Sequence, residues 1–314
     1  MRSLLRLAPA VVVFALCSST PLEDSIQLKL NYKPGDVLRF RMTQEQTLEN
    51  EFMPAMETQT GFALKHVVKE VDEQGVATLI VSYEGIRQES GGAMAMSFDS
   101  RRKGEDAKLN SPMLAQMFEP MLEMELSMEV EPSGRIRAIH GVEELLETLT
   151  GALGDSAPQL KPFVESLFGE DSLRRLWEVA VFPADPIEPG FAWKRSMEFE
   201  LPMLGEMKVV FDQTYRGVET VNDKRCARIE LEGALSFVID ESLPIEISLD
   251  SSEVEGWMLI ALDDGAPVET RQSIEMEMRL GPKEESEATP AMSMSMSISQ
   301  HLQRLAADAP IFED

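Results

Sequence analysis

Period-two alternation of apolar and polar residues runs through most of this chain and limits its fold more than any other feature. "IQLKLNY" sets Ile26, Leu28 and Leu30 against Gln27, Lys29 and Asn31. "VLRFRMTQEQTLE" sets Leu38, Phe40 and Met42 against Arg39 and Arg41. Side chains of a strand point alternately to its two faces, so such text predicts strands with one buried face. The same pattern returns in "TGFALKHVVKEVD", "VATLIVSYEGI", "LSMEV", "MKVVFDQTY" and "RCARIELEGAL", and again in "GWMLIALDDGAPVETRQSIEMEMRLG". Short turn signals separate these runs: "DEQG", "PSG" and "DDG". Short turns between strands mean antiparallel neighbours.

The alternation breaks between about 142 and 180. In "GVEELLETLTGAL", Val142, Leu145, Leu146, Leu149 and Leu153 recur at helical spacing. "APQLKPFVESLFG" groups Leu160, Phe163, Val164 and Leu167, and "EDSLRRLWEVA" adds Leu173, Leu176 and Trp177. A further short helix is expected over 111–124, opened by Ser111 and Pro112. The predicted class is α+β: a large curved antiparallel sheet with a helical cluster near 142–180.

Two distant stretches are near echoes. "KPGDVLRFRMTQ" at 33–44 and "EPGFAWKRSMEF" at 188–199 both open on Pro-Gly, carry a base four residues after the Gly (Arg39, Lys194), and place a Met at the same offset (Met42, Met197). The strand–turn–strand text that follows also corresponds: Val71 with Val218, Leu79 with Ile229, Val81 with Leu231. Two related strand sets account for this, at 26–140 and 188–305, with the second including a closing meander. The helical insert occupies 141–187 and a tail 306–314. Convergent use of one turn chemistry is the competing account. The final stretch "MSMSMSISQHLQRL" is expected to turn from strand to helix near its end.

The first residues, "MRSLLRLAPAVVVFALCSST", place Arg2 and Arg6 before an apolar run, Leu7 to Leu16, that is too short to span a bilayer. Residues 1–19 are expected to be a secretory signal and 20–25 a linker. Cys17 admits lipidation, but Leu16 is bulky for the position before a lipidated Cys, which favours simple cleavage near Cys17–Ser19. No later stretch approaches membrane-spanning length. Cys226 then stands alone in the mature chain, so packing rather than a disulfide must hold the fold. The 314 residues carry 55 acidic against 29 basic side chains, a net charge of −26. Such a surface repels phosphate backbones and anionic headgroups, which sets nucleic acid aside as a partner. The sequence carries no signal for oligomeric state.

At "YKPGDVLRFRMTQE", "VVKEVDEQGVATLIVSY" and "FPADPIEPGFAWKR" the chain resembles an uncharacterised family of secreted bacterial proteins and lipoproteins, catalogued as a domain of unknown function numbered sixty-two sixty-three. The resemblance covers roughly 26–305. It rests on the paired Pro-Gly turns, the spaced prolines Pro183, Pro186 and Pro189 before Trp193, and the Met/Thr-rich strands near the end. Phe191 departs from the acidic residue usual after the second Pro-Gly. The resemblance implies an envelope location and supplies no catalytic residues.

Catalytic motifs are missing from the text. There is no GxSxG elbow, P-loop or GxGxxG. His66, His140 and His301 lie far apart, without zinc-ligand spacing, and read as strand or surface histidines. Acid pairs such as Glu119/Glu123, Asp240/Glu241 and Asp263/Asp264 are expected by chance among 55 acids, and Asp263 and Asp264 already suit a turn. Methionine is abundant, at 20 residues, and Met292, Met294 and Met296 alternate, as do Met94/Met96 and Met276/Met278. Thioethers on one strand face suit Cu(I). They equally suit a sheet face packed with adaptable apolar side chains. The packing account is favoured, and no cofactor or metal is expected. The functional expectation is a non-catalytic secreted or cell-envelope protein that binds an apolar small molecule or lipid in a groove between sheet and helices, lined in part by Met276, Met278 and Met294. The alternatives are a structural or protein-partner role in the envelope, an envelope hydrolase, and a Met-based copper binder.

Overall fold

The computed structural model describes residues 25–92, 95–152, 157–201, 205–239, 245–282 and 291–313. The signal segment, Cys17, Met94, Leu153, Asp240 and Glu241 lie outside them, as does most of the polar connection after Pro282. The chain runs through β1 (Val37–Asn50), β2 (Met53–Val71), β3 (Ala77–Ser90), β4 (Met96–Asp99), α1 (Pro112–Glu123), β5 (Glu125–Val130) and β6 (Ile136–His140). Then come α2 (Val142–Ala152), α3 (Ala157–Phe168) and α4 (Glu170–Trp177). The second half is β7 (Ala192–Leu201), β8 (Gly205–Val221), β9 (Lys224–Ile239), β10 (Ile245–Ala261), β11 (Pro267–Pro282) and β12 (Met292–Leu305).

All twelve strands belong to one open sheet in the order β6-β5-β3-β2-β1-β12-β11-β10-β9-β8-β7, with β4 beside β3. Every named pairing is antiparallel. The joint between the halves is β12 against β1, where Met42 faces Leu302 and Leu48 faces Met296. Register shifts interrupt β2, β8 and β10. Such bulges bend the bulged strand and raise its twist, which curves a sheet this wide.

The two Pro-Gly turns close in the same way. Gly35 N–H donates to the Val68 carbonyl, Asp36 N–H to Lys33 and Val68 N–H to Asp36. Gly190 N–H donates to Tyr215, Phe191 N–H to Glu188 and Tyr215 N–H to Phe191. Immediately beyond, both second strands carry a bulge, between Val68 and Glu70 and between Tyr215 and Gly217. Val68 then faces Leu79, as Tyr215 faces Ile229.

The inner face of the sheet is apolar. Leu38, Phe40 and Met42 are buried on β1 between half-buried Arg39 and Arg41. Helix α1 packs on β3 and β4, and α4 packs on β6. Leu114 and Phe118 of α1, Leu145 and Leu149 of α2 and Leu173 of α4 join Leu79, Val81 and Met128 in one core cluster. Each such side chain contributes about 1.5–3 kcal/mol when fully buried. The helical spacing read at Val142, Leu145 and Leu149 thus marks a buried stripe.

Two local expectations need correction. "IQLKLNY" is not a sheet strand: it makes a single bridge, Ile26 to Ile187, and otherwise crosses over hairpin turns, with Leu30 N–H on Pro132 and Asn31 N–H on Asp264. Its alternation buries Leu28 and half-buries Leu30 from above the sheet. The end of "MSMSMSISQHLQRL" stays strand to Leu305, because β1 and β11 hydrogen-bond it on both sides. The residues after Leu305 are docked on the outer face. Arg39 donates to the carbonyls of Ala306, Ala307 and Ala309 at 3.0, 2.8 and 3.1 Å. Phe312 and Ile311 lie over Gly61 and Gly85, where a side chain would collide with them.

Candidate functional site

A narrow apolar cavity lies between the inner face of the sheet and the segment that follows α4. Water-sized spheres occupy about 80 Å³ of it. Phe40, Met42, Leu64 and His66 come from β1 and β2, Leu79 and Met128 from β3 and β5, and Leu302 from β12. Tyr32 of the crossing N-terminal segment and Leu176, Trp177, Val179 and Ala180 form the other wall. Leu176 is 41% exposed and marks the rim.

Two glycines let the upper wall approach. Gly134 in the β5–β6 turn (φ 85°) sits against the carbonyl of Ala180, and Gly265 in the β10–β11 turn (φ 72°) sits against the carbonyl of Lys29. A Cβ at either position would overlap those carbonyls, and both angles are costly for other residues. Phe182 N–H then donates to Ser133 at 2.8 Å, and Leu30 N–H to Pro132 at 2.8 Å.

Among the described residues that line the cavity, none carries a full charge at neutral pH. The His66 Nε2 and Trp177 Nε1 atoms are shielded from water and have no hydrogen-bond partner. His66 sits edge-on to Phe40 with ring centroids 5.2 Å apart. Burial among carbon side chains lowers its pKa to about 4, so the imidazole is neutral. Burial likewise raises the Tyr32 and Tyr83 phenols far above their ordinary value. Arg304 lies near Tyr32 and is neutralised by Asp264 at 2.6 Å. A buried polar atom without a partner costs about 1–3 kcal/mol, a cost the fold carries at both nitrogens.

Met276, Met278 and Met294 are elsewhere on the inner face. Met276 and Met278 are 3% and 7% exposed and pack with Val209, Phe211, Leu235 and Val254, while half-buried Met294 faces Met278 across the β11–β12 ladder. The methionine that lines the apolar cavity from β1 is Met42. Met276 and Met296 also border a wider hollow of about 670 Å³, whose other walls are largely Ser and Glu. On the outer face a hollow of about 410 Å³ holds Trp257 between Arg228 and Arg271, 5.1 and 5.9 Å from the ring centroid, with Glu230, Glu232 and Glu255 nearby. Both hollows are open to solvent; in the outer one Arg228 lies by Glu230 and Arg271 by Glu269, whereas the charged residues lining the wider one, Glu49, Glu253, Glu275 and Glu277, are all acidic.

The other sequence candidates disperse. His140 is exposed beside Glu129 at 3.4 Å, and His301 pairs with Glu269 at 2.9 Å. Glu119 and Glu123 are exposed on α1, and Asp264 serves its turn and Arg304. Among the described residues, no three His, Cys, Asp or Glu side chains converge as metal ligands. His66 was read from sequence as an ordinary strand residue. Its position in the alternation, on the face of Phe62 and Leu64, is the signal that an imidazole points into an apolar interior.

Residues 74–251 match the model of a family described as a family of unknown function, DUF6263. The chain belongs to this family. No curated protein matches it. Among solved structures, one of lipovitellin concerned with lipid–protein interactions aligns at 10% identity and a TM-score of 0.39, covering 90% of this chain and 26% of that one. This chain therefore spans about a quarter of lipovitellin's length. A LolA superfamily protein from Nitrosomonas europaea aligns at 9% identity and a TM-score of 0.14, covering 91% and 93% of the two chains. A loop-deletion variant of the outer-membrane protein OmpT from Vibrio cholerae aligns at 9% identity and 0.22, covering 86% and 100%. Among the described residues no helix is long and apolar enough to cross a membrane.

Proposed function

We propose that this DUF6263 protein is a non-catalytic binding protein that holds the apolar part of a small amphipathic molecule in the cavity beneath the segment after α4. The observation that carries the reading is a cavity with an uncharged, carbon-rich lining that the fold leaves unfilled. At about 80 Å³ it is smaller than the few hundred Å³ of an ordinary small-molecule site, so it takes at most one slender chain or ring. A nucleophilic or metal-assisted reaction has no support in the grouping of side chains around it.

The signal-like residues 1–19 support a location in the cell envelope or outside the cell, where hydrophobic molecules must be carried through water. The alternative of an anchor at Cys17 is decided by the mass of the mature N-terminus. The matched turns and bulges support an origin of 26–140 and 188–305 from one unit, with 141–187 inserted between them. A profile built from relatives of either half should then detect the other. Met276, Met278 and Met294 take the secondary role of an adaptable extension of the same inner face.

The binding experiment uses Nile red, a neutral solvatochromic probe. The mature protein should take it up saturably with a blue-shifted emission, and Ala180→Trp, which fills the cavity, should abolish uptake without lowering the melting temperature. Absence of saturable uptake, or uptake unaffected by Ala180→Trp, refutes the reading and favours a structural or protein-partner role in the envelope.

A further inference from the structure

The sheet is open, so its outermost strands each have one side that no other strand pairs. Two of these free sides are answered from within the chain. Along β6, Ile136 N–H donates to Glu178 at 2.8 Å, and the Arg174 guanidinium donates to the Ile136 carbonyl at 2.6 Å. Along β4, Ser111 N–H donates to the Ser97 carbonyl at 2.8 Å, and Asp99 N–H to the Asn110 side chain at 3.0 Å. The edge of β7 is different. Among the described residues β7 makes its ladder with β8 alone, and no loop or helix end bonds to the backbone of its other side. That ladder runs without a register shift, and the ten-residue strand holds no proline or glycine, so nothing bends or blocks the edge. Ala192, Lys194, Ser196 and Glu198 are exposed along it.

A lone Lys on an edge deters pairing, because its charge would be left without a partner. Here the same strand supplies the partner. Directly opposed residues of an antiparallel pair share a face. When β7 meets a second β7 about an axis at Ser196, Lys194 of each copy stands opposite Glu198 of the other. Within one copy Lys194 already meets Asp212 at 3.0 Å, and Glu198 meets Lys208 at 2.6 Å. Each row across the joint then reads Asp212, Lys194, Glu198, Lys208, and the sign alternates from one copy into the next. Moving the axis to Arg195 sets that cation against itself, and moving it to Met197 sets Glu198 against Ser196. Phe191, 42% exposed just before the strand, falls opposite residue 201 of the second copy.

From this self-complementary edge we propose that the protein forms a homodimer through β7: two copies pair antiparallel with the two-fold axis at Ser196, and their sheets run on as one. The proposal is independent of the cavity. A joint of one strand pair is smaller than a standard interface, so its dissociation constant is expected in the micromolar range.

The test is sedimentation equilibrium of the mature protein at about 0.15 M salt, which screens the mutual repulsion of two acidic chains beyond about 8 Å. The wild type should pass from monomer to dimer as its concentration rises. Lys194→Glu and Glu198→Lys should each raise the dissociation constant about ten-fold or more, because either substitution turns both symmetry-related pairs into like charges. An equimolar mixture of the two variants should dimerise about as well as the wild type, since the mixed pair again opposes acid to base at both positions. A monomer at every concentration up to about 1 mM, a dimer that both substitutions leave intact, or folded variants that the mixture does not rescue would overturn the assignment. Should a variant misfold, the wild type decides alone. Hydrogen exchange at alternate β7 amides should slow as the concentration passes the dissociation constant, and exchange there that ignores concentration refutes pairing through this edge.

Discussion

Lowering the pH should weaken this protein through His66 well before its carboxylates are protonated. The imidazole's pKa is about 4 in the folded chain and about 6.5 when unfolded. Between those values the unfolded chain binds more protons, so stability falls as the pH falls. The contribution is complete above about pH 6.5 and is lost progressively toward pH 4. Between pH 7.5 and 4.5 the linkage amounts to about 2.5 kcal/mol, the bulk of the roughly 3.4 kcal/mol that a shift of this size can supply. Urea melts at pH 7.5, 6.5, 5.5 and 4.5 read it directly, and His66→Phe is the reference because a phenyl ring keeps the edge contact with Phe40 and cannot be protonated. The wild type should lose about 2.5 kcal/mol more than the variant across that range. Parallel losses would mean that His66 is solvated when folded, and the cavity would then be an open, water-filled groove.

Five further outcomes follow from the packing. Gly134→Ala should cost about 2–4 kcal/mol, since it adds left-handed strain and pushes Ala180 off the β5–β6 turn; a change below about 0.5 kcal/mol in a urea melt would show that the upper wall is not seated there. Trp193 is half-buried against the cluster of Tyr215 and Ile229, so Trp193→Ala should cost about 2–3 kcal/mol, less than a fully enclosed Trp. Met276→Leu should cost under about 1.5 kcal/mol and Met276→Ala about 2–5, and changing Met292, Met294 and Met296 to Leu together should leave Cu(I) competition titrations unaltered, whereas stoichiometric uptake lost in the triple variant would reinstate a metal role. The Cys226 thiol is fully buried and its pKa is raised by burial, so it should react with a disulfide reagent only on unfolding.

The alternation of single residues determined the strands by itself, because a residue's side of a strand depends only on its parity. Leu38, Phe40 and Met42 were legible as a buried row, and the 3.6-residue spacing of Val142, Leu145 and Leu149 was legible as a buried helical stripe. The Pro-Gly turns were legible too, since the prolines and glycines that set their dihedrals are local. Parity was silent on whether an alternating run joins the sheet. "IQLKLNY" has the pattern of a strand, yet it spends its apolar side on the core from above. Only tertiary structure decided that β12 lies beside β1, which brings Leu302 to Phe40 and Met42. It likewise decided that Ile311 and Phe312 dock over Gly61 and Gly85. The cavity is of this second kind. Its lining comes from seven strands, a crossing segment and the end of α4, and it exists because those surfaces meet without filling the space between them. His66 and Trp177 stand 111 positions apart, and no local rule links them, because an unpaired nitrogen is a property of everything around it.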